Sequence, residues 1–181
     1  MGMMHEDVEE RLFSEEQLRA RVAELGAEIS RDFEGKNPVF IGVLKGCWVF
    51  MADLVRSVTI PCSVEFMAVK SYDGANSTGV VQIQKDLSES IEGRHIIMVE
   101  DILDTGRTLN YLTKYLSARQ PASITIATLL DKPSRRKAPV EAKYSCFEVP
   151  DSFIVGYGPD YNERYRNIPY VGVLKPEIYR D

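Results

Sequence analysis

Residues 96–109 hold the side chains whose types and spacing could do chemistry. Glu100, Asp101 and Asp104 place three carboxylates within five positions, behind the apolar run Ile96, Ile97, Met98, Val99 and ahead of Thr105-Gly106-Arg107-Thr108. The apolar run reads as a buried strand, and Leu109, Leu112 and Leu116 recur at helical spacing, so the acidic loop joins a strand to a helix. Free N–H groups of a first helical turn, with the Thr105 and Thr108 hydroxyls beside them and Gly106 permitting close approach, make a site for a terminal phosphate. Glu100 and Asp101, at the end of the strand, can accept hydrogen bonds from two vicinal hydroxyls, which a ribose offers. Asp104, nearer the phosphate cradle, is left for chemistry. An arbitrary acidic triplet after a strand is more often a solvated turn, but this order of residues is hard to reach by accident.

The elements that must position this stretch can be read on either side of it. Ser14-Glu15-Glu16-Gln17 has the form of a capping box, and Leu18, Val22, Leu25 and Ile29 follow at helical spacing, which predicts an amphipathic helix packed on a sheet. Residues 39–44 predict a central strand, Lys45-Gly46 a tight turn, and residues 47–55 a largely buried helix. Residues 62–70 read as a strand covered on both faces, and residues 80–85 as a return strand, with Val81 and Ile83 alternating against Gln82 and Gln84. Residues 123–130 predict another strand. It runs into Asp131-Lys132-Pro133-Ser134-Arg135-Arg136-Lys137, a basic loop placed where ligands of open α/β sheets bind. Taken alone, the aromatics of residues 147–174 read as core and Asp160 as a turn residue. The alternation of strand and helix patterns predicts an α/β fold.

Composition excludes several classes. The chain's 181 residues fit one domain, residues 1–181, long enough to bury about 70% of the unfolded surface. Its 22 basic and 27 acidic residues give a net charge of −5, which argues against electrostatic binding of nucleic acid. Cys47, Cys62 and Cys146 are widely spaced, and with two histidines they indicate neither a disulfide framework nor a zinc site. Glu6, Asp7, Glu9 and Glu10 stand where a signal peptide needs an apolar run, and no window approaches a membrane span, so a cytoplasmic location without membrane association is expected.

Val99-Glu100-Asp101-Ile102-Leu103-Asp104-Thr105-Gly106 resembles the 5-phosphoribosyl-1-pyrophosphate (PRPP) motif of type I phosphoribosyltransferases, in the form found in hypoxanthine (guanine) phosphoribosyltransferases. Leu44-Lys45-Gly46 is similar to that family's pyrophosphate loop, and Ser71-Tyr72 with Ser77-Thr78-Gly79 to the loop that closes its active site. Lys132-Pro133-Ser134-Arg135-Arg136 resembles its purine-side segment, and residues 150–161 its purine-binding segment. In the family's order, these motifs span roughly residues 38–178.

The resemblance implies a mostly parallel twisted sheet flanked by helices, with a small hood over the active site built from chain-terminal segments, mainly about 144–181. It implies transfer of 5-phosphoribosyl from PRPP to N9 of hypoxanthine or guanine. Asp104 is the implied catalytic residue, at the purine's N7. PRPP binding falls to Leu44, Lys45, Gly46, Ser71, Tyr72, Glu100, Asp101, Asp104, Thr105, Gly106, Arg107, Thr108 and Arg166, and purine binding to Lys132, Phe153 and Ile154. The implied cofactor is magnesium, held by Asp160, with Glu100 and Asp101 as further candidate ligands. A homodimer or homotetramer is expected. The rival reading is an RNA-binding regulator of pyrimidine genes on the same fold, against which the acidic net charge and Asp104 weigh.

The polarity and two glycines of residues 71–79 point to a lid that shields the reacting ribose from water. Deleting residues 74–77 is expected to spare the fold, lower kcat, and raise the ratio of PRPP hydrolysis to nucleotide formation. A parental rate with no added hydrolysis would reduce the stretch to a connection.

Overall fold

The computed structural model describes residues 3–71 and 81–180. Tyr72 and the rest of the expected lid through Gly79 lie outside the described residues. Two sheets are present among them. The larger has six strands in the order β4 (Val81–Lys85), β3 (Ser63–Ser71), β2 (Val39–Leu44), β5 (His95–Leu103), β6 (Ser123–Asp131) and β7 (Tyr144–Glu148). All its pairings are parallel except β3 with β4. The mostly parallel α/β sheet is thus as expected.

Helices cover both faces because the strands bury both. Phe40, Ile97 and Val99 face one cluster with Leu18, Leu25 and Ile29 of α1 (Glu15–Asp32) and Phe50, Met51 and Leu54 of α2 (Trp48–Ser57). Ile41, Val43, Ile96 and Met98 face the other, with Leu109, Leu112 and Leu116 of α3 (Arg107–Ser117). Alternating residues of one strand therefore feed opposite cores. Ser14 caps α1 in the expected box: its hydroxyl accepts from Gln17 N–H, and the Gln17 side chain accepts from Ser14 N–H. Two burial expectations need correction. Trp48, at the start of α2, is 50% exposed, and Val64 of β3 is 43% exposed, because β4 pairs only with residues 68–71 and leaves the start of β3 as an edge.

The second sheet is antiparallel, in the order β1 (Val8–Phe13), β9 (Val171–Leu174) and β8 (Ile154–Val155), and has its own core of Val155, Tyr165, Ile168, Tyr170 and Leu174. Strand β7, at the start of the span expected to form the hood, pairs with β6 in the large sheet instead. The N-terminal β1 takes a place in the small sheet. Its sequence, Val-Glu-Glu-Arg-Leu-Phe, carries three exposed charged residues in a row and no clean alternation, so it gave no strand signal.

Helix α1 meets α2 at the last residue of α2, Ser57. A Cβ on Gly26 of α1 would stand 2.6 Å from the Ser57 carbonyl oxygen, so the helices meet at a residue without a side chain. Gly26→Ala gains about 1 kcal/mol of helix propensity and faces about 1–3 kcal/mol of overpacking against backbone. The expected result is a lower thermal unfolding midpoint; an unchanged or raised midpoint would show that the helices can part at little cost.

Candidate active site

The strand order creates a crevice. From β2 the chain passes through α2 to β3 on one side, and from β5 through α3 to β6 on the other, so the connections diverge between β2 and β5. Such a switch point, at the carboxyl ends of parallel strands, is where open α/β sheets bind ligands. Pairing of β5 with β2 ends at Val99, whereas its pairing with β6 continues to Leu103. Glu100 and Asp101 fall in the gap that opens there.

Asp101 and Gly46 make a close contact across this gap. A Cβ on Gly46 would lie 1.7 Å from Asp101 Oδ2, so the carboxylate occupies space that any other residue would fill. Gly158, at φ +120°, brings the second sheet's loop onto the same point, where a Cβ would lie 2.2 Å from the Gly46 carbonyl oxygen. The Leu44–Lys45 peptide bond is cis. Glu100 Oε1 accepts the Asp101 N–H at 3.2 Å, and Asp101 Oδ1 accepts the Ile102 N–H at 2.8 Å. Neither carboxyl makes an ion pair among the described residues. Burial, then the neighbouring Asp101 charge, push the Glu100 pKa well above the usual carboxylate range, and burial raises that of Asp101.

Most of the predicted PRPP residues line one cavity of about 320 Å³: Leu44, Lys45, Gly46, Glu100, Asp101, Asp104, Thr105, Gly106, Thr108 and Arg166. Arg107 is exposed and lines neither this cavity nor its neighbour. Ser71 ends β3. Gly106, at φ +75°, begins α3 without a side-chain cap, leaving the first-turn N–H groups to a 3.4 Å contact of Arg107 N–H with Thr105 Oγ1. Thr105, Gly106 and Thr108 line the cavity beside this turn. Opposite them, Glu163 joins two cations, with Oε2 3.1 Å from Lys45 Nζ and Oε1 3.3 Å from Arg166 Nη2.

A second cavity, of about 530 Å³, contains Lys132, Phe153 and Ile154, and shares Asp101, Ile102, Asp104 and Asp160 with the first. Asp104 therefore stands where the two meet. Lys132 is buried, and its Nζ donates to the Ser152 carbonyl oxygen at 2.7 Å; burial lowers its pKa, opposed by the charges of Asp104 and Asp151. Tyr179 stacks on Phe153 with ring centres 4.8 Å apart. Tyr179, which lies beyond the matched segments, and Asp151, which stands inside residues 150–161 without a role of its own there, also line this cavity; Arg135 is legible in the sequence only as part of a basic segment.

Asp160 Oδ1 lies 3.0 Å from Arg166 Nη2, and its Oδ2 accepts the Glu163 N–H at 2.9 Å. No group of three acidic, histidine or cysteine side chains among the described residues could by itself hold a metal ion. The donors fit a hard divalent cation in kind, since Glu100 and Asp101 are oxygen ligands without a protein counter-charge in contact. In number they fit only an ion that takes the rest of its shell from substrate and water.

The model of the phosphoribosyl transferase domain matches residues 9–162. The hypoxanthine-guanine phosphoribosyltransferase of Staphylococcus aureus strain Mu50 is 51% identical over 177 residues, covering 97% of this chain and 99% of the relative. The bifunctional protein TilS/HprT of Listeria monocytogenes is 49% identical over 179 residues, but the chain spans only 28% of its length. Among solved structures, a hypoxanthine phosphoribosyltransferase from S. aureus superposes with a TM-score of 0.97 at 50% identity, covering 99% of this chain and 98% of that one. A hypoxanthine-guanine phosphoribosyltransferase from Bacillus anthracis gives 0.87 at 43%, covering 93% and 99%. With a switch-point crevice, an acidic strand end and likeness across almost its whole length, the chain belongs to the phosphoribosyltransferase family, among its hypoxanthine-guanine members.

Proposed function

We propose that this chain transfers the 5-phosphoribosyl group of PRPP to N9 of hypoxanthine or guanine, forming IMP or GMP and pyrophosphate in purine salvage. The observation that carries the reading is Asp104 at the junction of two cavities, one with oxyanion donors and acidic groups, the other with a buried lysine and an aromatic ring. Thr105, Gly106, Arg107 and Thr108 hold the 5-phosphate on the first turn of α3. Glu100 and Asp101 take the ribose hydroxyls. Each carboxyl offers two oxygens that can accept from hydroxyls. Leu44, Lys45, Gly46 and Arg166 receive the pyrophosphate, with Ser71 and Tyr72 as further PRPP-binding residues.

On the base, Lys132 presents only donors, which matches the O6 acceptor of hypoxanthine or guanine and opposes the amino group of adenine. Phe153 stacks on the ring, and the Ile154 carbonyl accepts from the exocyclic amine of guanine. Asp104 takes the N7 proton as N9 bonds to the ribose carbon and the bond to pyrophosphate breaks. Magnesium, with Asp160 as a ligand and Glu100 and Asp101 as further candidates, supplies neutralisation of the leaving group's negative charge. The reading includes a cytoplasmic enzyme that acts as a single phosphoribosyltransferase domain in a homodimer or homotetramer. No helix among the described residues is long and apolar enough to cross a membrane.

The direct test supplies PRPP and magnesium with hypoxanthine, guanine, xanthine or adenine and follows nucleotide and pyrophosphate. IMP and GMP should form and AMP should not; no base consumption would reject the reading. Asp104→Asn should lower kcat by about 10²-fold or more with PRPP binding little changed. Lys132→Ala should depress kcat/KM for hypoxanthine and guanine far more than for adenine, and an equal effect on every base would remove Lys132 from O6 recognition.

A further inference from the structure

Beside Asp104 stand two consecutive arginines that do different work. Arg136 donates from Nη1 to the carbonyl oxygens of Leu103, at 3.2 Å, and Asp104, at 2.8 Å, and pairs through Nη2 with Asp131. It therefore fixes the backbone of the acidic loop. Arg135, from the short turn Pro133–Arg135 after β6, reaches the side chain: its Nε lies 2.7 Å from Asp104 Oδ1. The other end of its guanidinium donates from Nη1 to Asp151 Oδ1 at 3.0 Å. Asp104 Oδ1 is buried and accepts no well-directed hydrogen bond among the described residues, so the guanidinium is the charge in contact with it.

We propose that Arg135 is a positioning residue for the transfer reaction, holding the Asp104 carboxylate at the junction of the two cavities while Asp151 holds Arg135. The inference rests on the reading of Asp104 as the group that takes the purine proton. A carboxylate on a short side chain has three staggered χ1 wells to choose among, and proton transfer needs it within hydrogen-bond reach of N7. A planar guanidinium fork, anchored at its far end, selects one position without closing the cavity. The same contacts hold little of the fold together. Arg135 and Asp104 side chains are 44% and 39% exposed, and ion pairs this open contribute little to stability. Loss of Arg135 should therefore appear in the rate and leave the fold intact. A lysine would reach one carboxylate or the other, but not bridge both.

The test is a double-mutant cycle between Arg135→Ala and Asp104→Asn, with steady-state kinetics and thermal unfolding of each protein. Arg135→Ala should lower kcat about tenfold with the KM for PRPP within about twofold, since a misplaced catalytic group costs rate and not uniform binding. Its unfolding midpoint should stay within about 2 °C of the parent. Arg135→Lys should recover part of the rate, and Asp151→Asn should show a smaller loss of the same kind. In the Asp104→Asn background Arg135→Ala should cost nothing further. An equal loss in both backgrounds would overturn the inference, because Arg135 would then act independently of Asp104. A full effect of Asp104→Asn with none from Arg135→Ala would overturn it alone. An unchanged kcat in Asp104→Asn would overturn the reading of Asp104 and the inference with it.

Discussion

The site depends on the contact of Asp101 with Gly46, two residues 55 positions apart in sequence whose separation in space leaves no room for a methyl group. The contact joins the loop after β2 to the end of β5, and Gly158 closes on the Gly46 carbonyl from the second sheet. Three segments from different parts of the fold thus converge within van der Waals distance of one backbone position. Burial raises the pKa of the Glu100 and Asp101 carboxyls beside it, a cost of the kind that clusters at functional sites.

Around that point charges are arranged in two sets. Beside the cavity at the start of α3, Glu163 lies between Lys45 and Arg166, and Arg166 also meets Asp160. Side chains of Lys45 and Glu163 are largely exposed, so their pairing contributes little to stability. In the second cavity, Lys132 is buried and directed by the Ser152 carbonyl oxygen, so its position is decided by packing. The exposed pair can rearrange at little cost in stability, whereas the buried lysine is held in place.

Burial expectations failed where an edge or a surface interrupts the sheet's cover. Residues 47–55 are apolar enough for a buried helix, yet Trp48 is half exposed, because only the face of α2 toward α1 and the sheet is covered. Strand β1 was invisible because it pairs along one side only, with β9, and solvent takes its charged residues.

The sequence by itself determined what is local: the strand-to-helix passage around Glu100, Asp101 and Asp104, the capping box at Ser14, and the periodicities of α1 and α3. These arise from interactions spanning a few residues, so the pattern contains them. Resemblance added the functional order of the segments and a mostly parallel sheet. Tertiary structure decided strand order, and with it that β2 and β5 are neighbours at a switch point; no periodicity encodes which strands pair across 50 residues. It also decided that β7 joins the large sheet while β1 joins the small one, and that Arg135 reaches both Asp104 and Asp151. A salt bridge between distant segments leaves no spacing in the chain to read, because its geometry exists only once both segments are packed.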